Sequence, residues 1–261
     1  MTFVVDEAPN KEIAISENGN PVLTYHYSKT VSHPYMHPIW TSNGQIITEG
    51  FIENKQRHLP GLCFSVGEVK DKNGNALPIK QKVTKIDKEV IRKPESSNVF
   101  RIVSETTYQV PNAVLINTLQ IDVPPIRNDV RILDMKVVLQ ALSKPIELVG
   151  DIGLSYYAVE MEHRKSANAD AKIGEAEVNR TQSKWGTLCG IVDNTAIGVA
   201  ICPHPANGLT QFIAEDLYQG FLFAKTPTLI INPQENRELI YRILIYHGDL
   251  FTFDVGEYYS H

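Results

Sequence analysis

The groups in this chain best suited to proton chemistry are histidines placed at strand ends. His204 is clamped between Pro203 and Pro205, directly after the apolar run Gly198-Val199-Ala200-Ile201-Cys202 and just before Asn207-Gly208. Proline fixes φ and removes a backbone donor, so a central strand cannot continue through it. Rigid strand ends are places where folds commonly present functional groups. His58 lies in the loop Gln56-Arg57-His58-Leu59-Pro60-Gly61, and His247 closes the run Tyr241 to Tyr246 before Gly248-Asp249. Imidazole titrates near neutrality, so it can move protons to and from the hydroxyls or ring oxygen of a sugar. Two readings stand side by side: each histidine caps a turn or packs at a rim, or two or three converge on one face.

Other groups extend this set. His33 and His37 are four apart, the spacing used by metal-binding helices, but Pro34 and Pro38 rule out a regular helix. No local cluster supplies two ligands for a zinc site, and no CxxC exists, so no metal or other cofactor is expected. Arg242 alternates with apolar neighbours. On a sheet Tyr241, Ile243 and Ile245 face one way, and Arg242, Leu244 and Tyr246 the other. A charge in such a run is either paired or lines a pocket. Trp185 and Tyr218 could stack on an apolar sugar face or fill core. Glu160 and Glu162 share one face of a strand, either as an acid/base pair or as a solvated strand end.

These groups must be positioned by strands, because no segment shows a long amphipathic helix. Asn18-Gly19-Asn20 predicts a hairpin between two short strands over residues 12 to 27. A strand, turn and strand are expected from Ser32 to Thr48 around Asn43-Gly44. Alternating strands follow from residue 79 to 149, among them Val114 to Ile121 and Val130 to Leu139, with one face on the core and one in water. Residues 163 to 184 are polar and read as a long excursion containing one helical turn. Strand signals resume at Trp185 and run to Phe253. Short strands separated by turns point to a sandwich or barrel. With no linker and no repeat, a single domain over 1–261 is expected.

Composition sets the boundaries. The chain has 261 residues, 43% of them hydrophobic and 21% charged, with a formal net charge of -5. That balance suits a globular protein with a sizeable core and excludes a basic nucleic-acid surface. The start of the chain lacks the basic and apolar regions of a signal peptide, and its longest apolar runs fall well short of the roughly 20 residues that span a bilayer. A cytoplasmic protein that neither crosses a membrane nor binds nucleic acid is expected. Cys63, Cys189 and Cys202 sit among apolar neighbours and read as reduced core thiols.

Taken in order, several short motifs resemble a family labelled PmoA-like, or methane-oxygenase-like. They are His33-Pro34-Tyr35-Met36-His37-Pro38, the His58 to Gly61 loop, Lys184-Trp185, His204-Pro205 with Asn207, Tyr218-Gln219-Gly220-Phe221, and Tyr241-Arg242 with His247-Gly248. The family's loop usually carries paired histidines and an arginine; here only His58 carries over. A membrane oxygenase subunit needs spanning helices, which this sequence lacks. The resemblance implies instead an all-β antiparallel supersandwich like that of galactose mutarotase. On that basis the expected ligand is a sugar, sugar acid or oligosaccharide on a concave sheet face. His58 and His204 are the expected acid/base groups, and His37, Trp185, Asn207, Tyr218, Arg242 and His247 are the expected binding groups. The chemistry would be that of an epimerase, lyase or hydrolase; a non-catalytic sugar-binding module on the same fold is the alternative.

Overall fold

A computed structural model describes residues 2–28, 33–50, 60–70, 75–91, 98–215 and 220–259. In chain order its strands are β1 (Phe3–Ala8), β2 (Glu12–Glu17), β3 (Asn20–His26), β4 (Tyr35–Ile39), β5 (Leu62–Val69), β6 (Lys80–Ile91), β7 (Val99–Val110), β8 (Ala113–Val123), β9 (Arg131–Ala141), β10 (Ile146–Tyr157), β11 (Glu162–Asn168), β12 (Thr181–Gln182), β13 (Gly186–Val192), β14 (Thr195–Pro203), β15 (Gln211–Glu215), β16 (Phe221–Thr226), β17 (Leu229–Ile231) and β18 (Asn236–His247). Two single-turn helices, α1 (Glu175–Val178) and α2 (Val255–Tyr258), and a 3-10 turn over Pro205–Asn207 complete the described elements.

The strands form two sheets. The wide sheet has ten strands in the order β1-β2-β3-β4-β5-β10-β16-β15-β12, with β17 also on β10. The narrow sheet has eight, in the order β11-β13-β14-β18-β9-β8-β7-β6. The pairings between these strands are antiparallel, so the expected all-β antiparallel supersandwich is what the chain forms.

Local sequence explains much of this. The β2–β3 hairpin turns on Asn18 and Gly19, at φ 51° and 84°, the paired left-handed conformations of a type I′ turn. In β9, Leu133, Met135, Val137 and Leu139 are at most 1% exposed while their neighbours are half-buried. Period-two burial of this kind places every second residue between the sheets. The core joins Ile13, Leu23, Phe64, Leu154 and Leu222 of the wide sheet to Leu115, Val137, Ile243 and Ile245 of the narrow one. Each such side chain contributes about 1.5–3 kcal/mol when fully buried. One ion pair crosses the interior: Arg131 Nη1 lies 2.5 Å from Glu17 Oε2, with both side chains at most 4% exposed.

The polar stretch 163 to 184 departs from expectation in part. The helical turn is present as α1, but Glu162–Asn168 is an edge strand of the narrow sheet rather than loop. Its buried residues are Ser166, Ala167 and Asn168, too small and polar to mark a strand by apolar alternation.

The two outer faces differ. On the narrow sheet, Ala200, Cys202, Leu244 and Tyr246 are covered by the end of the chain, with Val255 buried among them and Phe253, Tyr258 and Trp185 packed against the cluster. Tyr246 and Phe253 stack at 3.9 Å between ring centroids, 7° from parallel. Asp254 caps α2 by accepting the Gly256 N–H at 2.8 Å. On the wide sheet the corresponding face carries a groove.

Candidate functional site

The groove has a volume of about 840 Å³ and lies on the outer face of β5, β10, β16 and β15. Cross-strand register sets out its floor in three rows. The upper row runs Tyr157, Phe221, Glu215. The middle row runs His26, Tyr35, Cys63, Ser155, Phe223, Ile213. The lower row runs Ser65, Gly153, Lys225, Gln211. Residues two apart on a strand share a face, so β16 alternates Leu222, Ala224 and Thr226 into the core with Phe221, Phe223 and Lys225 into the groove.

The site therefore has an apolar part beside a charged part. Phe221 and Phe223 have ring centroids 6.0 Å apart, tilted by 31°. Phe223 is buried and Phe221 half-buried. Below them Lys225 Nζ meets Asp151 Oδ1 at 3.1 Å. Gly153 is at φ 141°, and a Cβ there would stand 2.1 Å from the Ala224 carbonyl oxygen. Only glycine fits that position, so the floor between Ser65 and Lys225 stays open at backbone level.

His37 stands on the same face as the upper row, because Met36 beside it points into the core. Its Nδ1 lies 3.1 Å from Thr48 Oγ1, which also accepts the Ile39 N–H at 3.0 Å. Burial pushes the His37 pKa below its ordinary value, with nearby Glu49 opposing the shift. Gly50 lies flat against the ring: a Cβ there would be 2.8 Å from Nε2. His26 supports this strand, donating from Nε2 to the His37 carbonyl at 2.5 Å and stacking on Tyr35 at 4.6 Å.

The remaining expected site residues are placed as follows. His58 and Tyr218 lie outside the described residues. His204 is the N-cap of the turn Pro205–Asn207, its Nδ1 accepting the Ala206 N–H at 3.0 Å. Asn207 is buried; its amide donates to the Ile240 carbonyl at 2.7 Å and accepts the Ile240 N–H at 2.8 Å. Arg242 grips Asp134 through two contacts of 2.7 and 3.1 Å and donates to the Tyr258 carbonyl at 3.3 Å. Trp185 packs on the covered face of the narrow sheet. His247 Nε2 meets Ser42 Oγ at 2.9 Å.

His204 and His247 do not meet. The His204 N–H bonds to Ile240, and His247 is seven residues further along β18, roughly 23 Å away. Among the described candidates only His37 belongs to a strand of the wide sheet. Glu160 and Glu162 are both exposed, at a solvated strand end. The three thiols are free and buried; burial pushes Cys63 and Cys202 up to about 12 and Cys189 to about 11. Among the described residues no group of three or more His, Cys, Asp or Glu could hold a metal ion, and no helix is long and apolar enough to cross a membrane.

Sequence reasoning quoted Phe221 only as part of a motif and gave no site role to it or to the groove residues Phe223, Lys225, Arg180 and Gln211. The alternation in Phe221-Leu222-Phe223-Ala224-Lys225-Thr226 was a usable signal for which of them share a face. It carries no information on whether that face is open or covered.

Fold and groove together define a large antiparallel β-sandwich with a polar, aromatic-edged groove on one sheet. The chain belongs to a family of unknown function (DUF6807), whose model matches residues 12–259. That description carries no methane-oxygenase label, so of the resemblance read from the motifs it is the two-sheet antiparallel architecture that stands. Among solved structures the chain is similar to the galactosidase domain of an alpha-galactosidase-sucrose kinase, AgaSK, at 8% identity and a TM-score of 0.46. The match covers 94% of this chain and 42% of the other, so the chain spans less than half of that structure's length. No curated protein matches it.

Proposed function

We propose that the protein binds a carbohydrate in the groove of the wide sheet. The observation that carries this reading is the juxtaposition of Phe221, Phe223 and Ile213 with Lys225, Gln211 and Glu215 on one open face. A pyranose has an apolar face and a rim of hydroxyls, and pockets that take such ligands pair aromatic surface with a few placed polar groups.

Glu215 does not form a hydrolytic pair with the other described carboxylates of the groove. Glu215 stands in the row of Tyr157, whereas Asp151 lies six residues earlier on β10, roughly 20 Å along the strand. Paired hydrolytic carboxylates stand about 5–9.5 Å apart. Glu68 pairs with Val149 and is further still from Glu215.

One observation favours a second reading, an enzyme of the epimerase or lyase type. Burial disfavours the charged form of His37, which stands on the face of the upper row, where a base would be useful.

Titration calorimetry against a panel of hexoses and hexuronates tests the binding reading. Binding that weakens about tenfold in Phe221→Ala, with an unchanged melting temperature, supports it. Binding unaffected by Phe221→Ala places the ligand elsewhere. Turnover of a bound sugar that is lost in His37→Gln would select the second reading.

A further inference from the structure

We infer that the groove selects an anionic sugar, of the hexuronate class, over its neutral parent, and that Arg180 and Lys225 read the carboxylate. This selectivity rests on the groove being the carbohydrate site proposed above.

Arg180 precedes the short strand β12. Its N–H donates to the Phe212 carbonyl at 2.7 Å, and Thr181 pairs with Phe212. Phe212 is fully buried and Thr181 turns its hydroxyl back onto the Val178 carbonyl at 2.6 Å. The groove lining, which includes both Arg180 and Ile213, places Arg180 on the outer face, beside the row that contains Phe223. It lines the groove there and is exposed.

Its backbone is at φ 60°, a conformation that residues other than glycine rarely adopt. The position is held from both sides, by the bond to Phe212 and by Gln211 Nε2, which donates to the Arg180 carbonyl at 2.8 Å. Among the described residues no carboxylate lies within ion-pair distance of its guanidinium. The tether on this arginine is thus to its backbone, and its charge is left to the groove.

Lys225 approaches from the neighbouring row. It is two residues from Phe223 on β16 and pairs with Gln211 on β15. Its partner Asp151 has a side chain 71% exposed, and such exposed pairs exchange readily because water screens them. The Cα atoms of Arg180 and Lys225 are roughly 12 Å apart by strand spacing and rise. Two side chains of that length can close on one carboxylate from opposite sides, with the Phe221, Phe223 and Ile213 surface next to it for the ring.

Of the groove's own carboxylates, Asp151 is the exposed partner of Lys225, within the bulge of β10, Glu215 lies in the upper row, and Glu68 pairs with Val149 before the bulge. A ligand carboxylate would replace Asp151 on Lys225 and meet Arg180 beside the apolar surface. Arginine is suited to this task because its planar fork matches a carboxylate in two hydrogen bonds.

The test measures dissociation constants for galacturonate and glucuronate against galactose and glucose, at low salt, on the wild-type chain, Phe221→Ala and the double variant Arg180→Gln with Lys225→Gln. The expected result is that a hexuronate binds at least about tenfold more tightly than its parent hexose. The double variant brings that ratio close to one. Equal binding of acid and parent, or a ratio that survives in the double variant, overturns the inference; if Phe221→Ala still weakens both ligands, the carbohydrate groove stands without it. Absence of binding by all four sugars, or binding indifferent to Phe221→Ala, overturns both.

Discussion

The two outer faces of this sandwich begin from similar material and end differently. Both present aromatic and charged side chains at alternate positions of antiparallel strands. On the narrow sheet those side chains are matched from within: Tyr246 stacks under Phe253 and hydrogen-bonds Thr187 at 2.7 Å, and Arg242 is spent on Asp134 and the Tyr258 carbonyl. On the wide sheet Phe221, Lys225 and Arg180 border an open volume of about 840 Å³. An aromatic or an arginine on a sheet face thus says little by itself. What covers the face decides whether it is structure or site.

That contrast makes specific variants behave differently, and the largest effect belongs to the covered face. Tyr246→Ala removes a fully buried ring and its hydrogen bond to Thr187, whose hydroxyl keeps its bond to the Val199 carbonyl. It is expected to cost about 3–5 kcal/mol in denaturant unfolding, with ligand affinity of the folded protein unchanged. Next, Asn207→Ala leaves the Ile240 N–H and carbonyl without their clamp and is expected to cost about 2–3 kcal/mol, again without a binding defect. A loss of affinity without loss of stability in this variant would return the His204–Asn207 turn to the binding site. Arg242→Ala, which frees a half-exposed Asp134, is expected to cost about 1–2 kcal/mol. Phe221→Ala reverses the pattern, weakening binding about tenfold with little change in stability.

The smallest effect is one of pH. His37 is depressed by burial, so its folded-state pKa lies below the ordinary value of 6.5. The unfolded chain then takes up the proton first. The stability this group contributes is complete above about pH 6.5 and declines as pH falls toward the folded pKa. His37→Gln should flatten that part of the stability profile between pH 7 and 5; an unchanged slope would show that His37 does not titrate with folding.

Much of the fold was readable in the residues. Strict alternation in β8 and β9, and Asn18-Gly19, predicted strands and a hairpin because burial between sheets imposes a period of two. The face shared by Arg242, Leu244 and Tyr246 was legible for the same reason. Of the expected site residues that are described, only His37 stands on a strand of the wide sheet, and none of them lines the groove. Alternation separates the two faces of a strand but is silent on which outer face the chain's own end will cover. Phe253, Val255 and Tyr258 are apolar residues seven or more positions beyond the β18 residues they protect, with no spacing to tie them to Trp185 or Tyr246. His204 looked exposed to chemistry because prolines flank it; the same rigidity suits a turn cap, and its Nδ1 performs that role. Arg180 was hidden in a polar stretch whose single helical turn and short strand bring it to the groove edge through tertiary pairing alone.

The most direct test of a ligand on the wide sheet is hydrogen exchange followed by mass spectrometry, with and without a saturating sugar. Slowed exchange over residues 211–215 and 220–226, with residues 185–187 and 242–259 unchanged, is the predicted result. Protection confined to residues 185–187, 203–208 and 242–259 would contradict it and move the site to the face that the chain's own end covers.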